Sequence, residues 1–211
     1  MIRTTTTHLA FLAALLSPCA VNADVITITF NGTADDTWPG SDVLLEVGDT
    51  YSEGGFTLTV LSGDQSYLID NDNTGIDDLD DDAFTLDTPE SSALITRDGG
   101  GLFNAIDVFV GNTWWSWGQD IGNLDFTGFY GGGGTIDATA TGCGANCLNY
   151  FAFDGFVGLE SLQVSAGDPV AYMVRDDFRL EPVPGPEPGT LALVGIGLAG
   201  MGLTRRRRKA S

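Results

Sequence analysis

The sequence predicts an all-β protein: an antiparallel, jelly-roll-like β-sandwich, flanked by an N-terminal signal peptide and a C-terminal short transmembrane helix. Three observations predict it. Apolar residues between Asp24 and Glu181 recur with the period of two that half-buried strands show, not the 3.6 of helices. Glycine-rich turn clusters punctuate these runs: Gly54-Gly55, Ser62-Gly63-Asp64, Asp98-Gly99-Gly100-Gly101, Gly131 to Gly134 and Ala166-Gly167-Asp168-Pro169. No stretch there has an amphipathic helical pattern of three turns, so about ten to twelve short strands with frequent turns are expected.

Residues 1–23 read as a secretory signal. Arg3 is the only charged residue before Asp24, Leu9 to Leu16 is apolar, and Val21-Asn22-Ala23 places small residues at a cleavage site after Ala23. The alternative, a lipoprotein signal using Cys19, meets Pro18 directly before the cysteine. The sole histidine, His8, leaves with the signal.

The body, 24–181, is one domain by length and long enough to bury a core. Its strands are read from Ile26-Ile28-Phe30, Phe56-Leu58-Val60, Ala83 to Leu86, Ala93 to Thr96, Ile106 to Val110, Leu124 to Tyr130, Thr135 to Thr141, Leu148 to Phe153, Leu159 to Val164 and Val170 to Leu180. All but one of the chain's 29 acidic residues fall in the body, against Arg97, Arg175 and Arg179 and no lysine; Glu187 is the exception. That balance repels nucleic acid and anionic lipid and favours divalent cations.

The acid is densest at Asp70-Asn71-Asp72-Asn73-Thr74-Gly75-Ile76-Asp77-Asp78-Leu79-Asp80-Asp81-Asp82. Alternating hard oxygens, a glycine at the sixth place and a carboxylate at the twelfth suit a calcium loop, with Asp70, Asp72, Thr74 and Asp81 as ligands. The apolar residue falls at the seventh place rather than the eighth, the twelfth is Asp rather than Glu, and no helix signals flank it. A solvated acidic loop between strands is the equal alternative. Asp176 alternates in step with Val174, Phe178 and Leu180, which predicts an inward carboxylate needing a partner: Arg97, or a structural calcium. Trp114-Trp115-Ser116-Trp117 is either core packing or a sugar-stacking platform, with Trp115 and Trp117 on one face of a strand. Cys143 and Cys147 are the only body cysteines and predict a small-loop disulfide in an oxidising compartment.

Catalysis has little support. The mature chain has no histidine, the body has no lysine, and no serine sits in a nucleophile-elbow context. Acids are too abundant for any pair to single itself out as glycosidase carboxylates.

The tail has three parts: a Pro-rich linker with Pro186-Glu187-Pro188 over 182–189, an apolar helix over 190–204, and a basic end over 205–211 carrying Arg205, Arg206, Arg207, Arg208 and Lys209. Pro182, Pro184, Pro186 and Pro188 keep the linker extended and short of backbone donors. Leu191 to Leu203 holds no charge. A helix of that length spans roughly 20 Å, short of the ~30 Å hydrocarbon core. The basic end holds the C-terminus in the cytoplasm by the positive-inside bias. This order resembles the PEP-CTERM sorting signal of Gram-negative bacteria that make extracellular polysaccharide.

The resemblance implies processing by an exosortase, a membrane-embedded transpeptidase that cuts near Pro186, Glu187 and Pro188. It implies transient residence in the inner membrane, then the cell surface or the extracellular space. The body resembles a recurrent PEP-CTERM ectodomain in a β-hairpin near Gly100-Gly101-Leu102-Phe103, in Leu124-Asp125-Phe126-Thr127-Gly128 and in a closing strand Arg175 to Leu180. There the usual Asp-Asn pair is Asp176-Asp177. The expected role is a non-catalytic structural or adhesive component of the extracellular polysaccharide matrix. The alternative is a calcium-dependent carbohydrate-binding module.

Overall fold

A computed structural model describes residues 24–30, 43–63, 66–69, 82–86, 88, 90–112, 122–142, 147–167, 173–185 and 196, without the side chains of Asn112 and Cys147. Thirteen strands lie among the described residues: β1 (Ile26–Ile28), β2 (Val43–Leu45), β3 (Thr50–Glu53), β4 (Phe56–Ser62), β5 (Ser66–Ile69), β6 (Ala83–Leu86), β7 (Ser92–Arg97), β8 (Phe103–Asn112), β9 (Asn123–Tyr130), β10 (Thr135–Thr141), β11 (Cys147–Ala152), β12 (Leu159–Ala166) and β13 (Met173–Pro182). Each run read from the sequence overlaps a strand; Phe30 and Phe153 fall just past the ends of theirs, and 170–172 lie outside the described residues. β2, β3 and β5 are additional, because three or four residues are too few to establish a period.

All pairings are antiparallel and fall into two layers. The first runs β3-β4-β7-β12-β9-β10. The second runs β2-β5-β6-β13-β8-β11, with β1 beside β13. A single pairing, Leu159 with Phe103, joins β12 to β8 and makes the network continuous. From β6 onward the chain passes between layers at almost every connection, as a jelly roll winds; the β9–β10 hairpin is the exception. The predicted hairpin at Gly100-Gly101-Leu102-Phe103 is instead such a crossover. β7 pairs with β4 and β12, whereas β8 pairs with β13, β11 and β12. Three consecutive positive-φ glycines, Gly99 to Gly101, turn the chain from one layer to the other.

Aromatic rings close the space between the layers. Phe56 of the first meets Phe103 of the second edge-on at 5.3 Å. Phe126 stacks on Phe151 at 5.5 Å and meets Phe153 edge-on at 4.9 Å. Tyr51 packs on Phe30 at 5.2 Å. Burying each such ring contributes ~1.5–3 kcal/mol, so these crossings hold the layers together more than the one bridging pair does.

The registers give the first layer an inner row running Tyr51, Leu58, Ile95, Leu162, Gly128 and Ile136. Its outer face is rich in hydroxyls, as in the row Ser52, Thr57, Thr96, Ser161. That is the strand period read from the sequence, with apolar residues inside and Thr and Ser outside. Gly128 sits in the inner row because a Cβ there would lie 2.8 Å from Leu159 Cδ2 and 2.9 Å from Ile136 Cγ2. Gly128→Val should therefore lower stability by ~1–3 kcal/mol through overpacking. Urea unfolding reads this directly, and an unchanged midpoint would contradict the packing of that row.

Candidate functional site around the closing strand

β13 is the strand around which the candidate site forms. Along one edge it pairs with β8 for its full length. Along the other it pairs with β6 at Met173 to Arg175 and with β1 at Phe178 to Leu180. Asp176 and Asp177 fall at the seam between those two neighbours. Asp177 has φ 50°, a left-handed conformation rare for a residue with a side chain, and its N–H donates to Asp176 Oδ1 at 2.7 Å. The register slips there, and again between Arg179 and Leu180.

The bulge corrects one sequence expectation. Asp176 does not share a face with both Val174 and Phe178. Val174 belongs to a small cluster with Ala83, Ile69 and Leu148, whereas Phe178 and Leu180 belong to the main core. The inserted residue reverses the alternation midway, which unbroken period-two counting does not detect. The expected burial of Asp176 does hold, at 5% exposure. Arg97 is not its partner: Arg97 Nη1 donates to the carbonyls of Leu102 at 3.2 Å and Val183 at 3.0 Å.

The bulge also places Arg175 inside. It is fully buried, with its guanidinium 5.5 Å above the Phe84 ring centroid. Nothing in the sequence marked it, because an arginine in a strand is ordinarily outward.

On the core side of the seam stand Tyr51, Glu53 and Asp82. The Tyr51 hydroxyl donates to Glu53 Oε2 at 2.9 Å. The same oxygen accepts the backbone N–H groups of Thr29 and Phe30 at 2.9 and 3.1 Å, and Oε1 accepts the Thr29 hydroxyl at 3.0 Å. One carboxylate thus ties the end of β1 to β3 across the layers. Asp82 is 4% exposed and begins the return from the acidic loop. Ile69 pairs with Ala83, so both ends of that loop meet beside the seam. Burial, the hydrogen bond to Glu53 and the charges of Glu53, Asp82 and Asp176 together push the Tyr51 phenol well above its ordinary range.

On the outer side, Asp176 lines up with Phe109 of β8 and Tyr150 of β11. The two rings lie 3.5 Å apart between centroids, tilted by 36°. Tyr150 is 59% exposed. The next row is Arg179, Asp107 and Ala152. There Arg179 Nη1 donates to Asp107 Oδ2 at 2.9 Å in an ion pair. Desolvation against its neighbours, then the charges of Asp177 and Asp107, push the Tyr150 phenol up. The charge of Asp176 adds to the upward push on both tyrosines.

Several predicted residues lie outside the described residues: Asp70, Asp72, Thr74 and Asp81 of the acidic loop, Trp115 and Trp117, Cys143, Pro186, Glu187, Pro188, and Arg205 to Lys209. Cys147 starts β11, but its side chain is not described. The signal segment also lies outside, as does the apolar tail except for Ile196, a helical residue. Among the described residues no helix is long and apolar enough to cross a membrane, and no three metal-ligating side chains form a group.

The end of the body is fixed. Val183 N–H donates to the Leu102 carbonyl at 2.8 Å, and Arg97 holds the Val183 carbonyl. Gly101 has φ 113°, and a Cβ there would come 3.2 Å from Arg97 Nη1. Three residues after this clamp a known motif begins, for residues 186–209 match the family model of the PEP-CTERM protein-sorting motif. The tail is a PEP-CTERM sorting motif. It directs the chain to the cell envelope through exosortase processing.

No curated protein matches the chain in sequence. Among solved structures the chain is similar to TmCBM61 in complex with beta-1,4-galactotriose, at TM-score 0.41 and 13% identity over 60% of this chain and 88% of that one. It is also similar to the CBM22-1–GH10 modules of a Clostridium thermocellum endo-1,4-beta-D-xylanase complexed with xylohexaose, at 0.41 and 14% over 78% of this chain and 29% of that one. A family 29 carbohydrate-binding module aligns at 0.37 and 9%, over 76% and 92%. At these TM-scores the likenesses assign neither fold nor ligand.

The core cluster carries a pH prediction. An unfolded tyrosine loses its proton near pH 10, while folded Tyr51 keeps it. Above that pH the native state binds more protons than the unfolded one, so stability falls as pH rises. Melting temperature should decline from about pH 10 upward, and Tyr51→Phe should flatten the decline while costing ~1 kcal/mol at neutral pH. A Tyr51→Phe profile parallel to the parent would contradict this.

Proposed function

We propose that this chain is a secreted, surface-sorted, non-catalytic β-sandwich protein that serves as a structural or adhesive component of the extracellular polysaccharide matrix. The observation that carries the reading is the junction of body and tail. β13 runs to Pro182, Val183 is clamped by Leu102 and Arg97, and the sorting motif follows from residue 186. A cut near Pro186, Glu187 and Pro188 would remove the apolar and basic segments and leave every described strand intact. The signal read over residues 1–23 supports export, and the acidic body supports a role away from nucleic acid and anionic lipid.

Mass spectrometry of the protein from its native cells tests the junction. The expected C-terminus lies close to Pro186–Pro188, with the segment 190–211 gone. An intact Ser211 end on a protein retained in the cytosol would contradict it.

A second reading, a calcium-dependent carbohydrate-binding module, is supported by the convergence of both ends of the acidic loop on buried Asp82 and Asp176. Carboxylates concentrated along one loop repel one another, and a bound divalent cation would relieve that repulsion. Calcium would then raise the melting temperature and excess chelator would lower it, since a ligand that binds only the native state stabilises it. A melting temperature indifferent to both would remove calcium from the account.

A further inference from the structure

We propose that Tyr150, backed by Phe109 and flanked by the Arg179–Asp107 ion pair, is a stacking site for one pyranose ring of an uncharged polysaccharide. The proposal deepens the matrix-component reading and rests on it for the choice of a glycan as partner. A cross-strand aromatic pair that only stabilises the sheet is the plainer account of two such rings. Three features go beyond it.

The first is exposure. A sheet-stabilising pair gains most by covering its rings, yet Tyr150 is left 59% exposed on the outer face of its layer. Phe109 supports it at 3.5 Å and is itself half-buried, so the tyrosine ring is held before any ligand arrives. A pre-positioned ring loses little conformational freedom on binding. The C–H face of a pyranose is apolar and lies against such a ring, while its hydroxyls project sideways.

The second is a donor fixed at the side. Arg179 uses Nη1 on Asp107, its only side-chain hydrogen bond among the described residues, and its side chain is 42% exposed. The remaining guanidinium N–H groups form a planar fork suited to two neighbouring hydroxyls. Asp107 fixes the orientation of that fork, and the register puts the pair one row from the ring.

The third is charge. Asp176 lies in the Tyr150 row through Phe109, and Asp107 stands in the next row with Arg179, the one cation in those two rows among the described residues. A uronate-bearing polymer would meet a net negative surface on a strongly acidic body, whereas an uncharged polymer meets no such repulsion.

The test passes the full-length protein, in mild detergent, over immobilised cellulose, xylan, galactan and mannan, with polygalacturonate as the acidic comparator. Retention is expected on at least one neutral polymer and not on polygalacturonate. Tyr150→Ala should weaken that retention about tenfold or more, Tyr150→Phe should keep it because the ring remains, and Arg179→Gln should weaken it severalfold. Melting curves of each variant separate lost binding from lost fold, and Arg179→Gln tests the site without touching the rings. No retention on any neutral polymer would overturn the proposal. So would retention unchanged in Tyr150→Ala, a preference for polygalacturonate, or retention lost in Trp115→Ala and Trp117→Ala but kept in Tyr150→Ala. The matrix reading fails separately, through an uncut tail or a cytosolic location, and neither bears on retention by purified protein.

Discussion

The pairing of β13 along both edges is the constraint on which the architecture depends. This strand carries the whole of β8 on one side and divides the other between β6 and β1. Those two neighbours stop short of each other, and between them β13 changes which side chains it turns into the main core. The left-handed turn at Asp177 absorbs the mismatch. It costs of order 1–3 kcal/mol in backbone strain, which the burial of Phe178 and Leu180 beyond it offsets several times over. The local polar groups follow from this break. Asp176 is drawn into the seam, Arg175 is turned into the core, and Arg179 is set outward beside Asp107.

The seam accounts for how a body with so many acids and so few cations keeps a compact core. Glu53 is not left to repel its neighbours; it accepts from Tyr51, Thr29 and Phe30. Two of the body's three arginines are likewise committed to structure. Arg97 holds the carbonyls of Leu102 and Val183, and Arg175 lies over Phe84. Only Arg179 presents its charge to the outer face beside an exposed ring. Scarcity of cations therefore sharpens what each does.

The layers were legible because alternation is a property of single strands. Phe56-Leu58-Val60 and the Thr-rich positions between them need no partner to declare an inside and an outside. Pairing between distant segments was not legible, which is why Gly100-Gly101-Leu102-Phe103 read as a hairpin although the chain crosses between layers there. The aromatic pair Phe109 and Tyr150 is 41 residues apart in sequence and becomes a pair only through the β8–β11 register. The sequence drew attention to Trp115 and Trp117 because they lie close together along the chain. It passed over Tyr150, whose neighbours are assembled by the fold. The tail is the opposite case, since its order along the chain is its meaning, and 186–209 was recognisable from residues alone.

The closing strand is locked between neighbours on both edges up to the clamp at Val183, so the sorting tail leaves a fully formed body. Hydrogen–deuterium exchange on the full-length protein, read residue by residue along 173–183, tests it most directly. The account predicts that the amides of Val174, Phe178 and Leu180 exchange as slowly as those of β8 and β12, by opening of the whole sandwich. Exchange in that segment as fast as in the short edge strand β2, with β8 and β12 still protected, would contradict it.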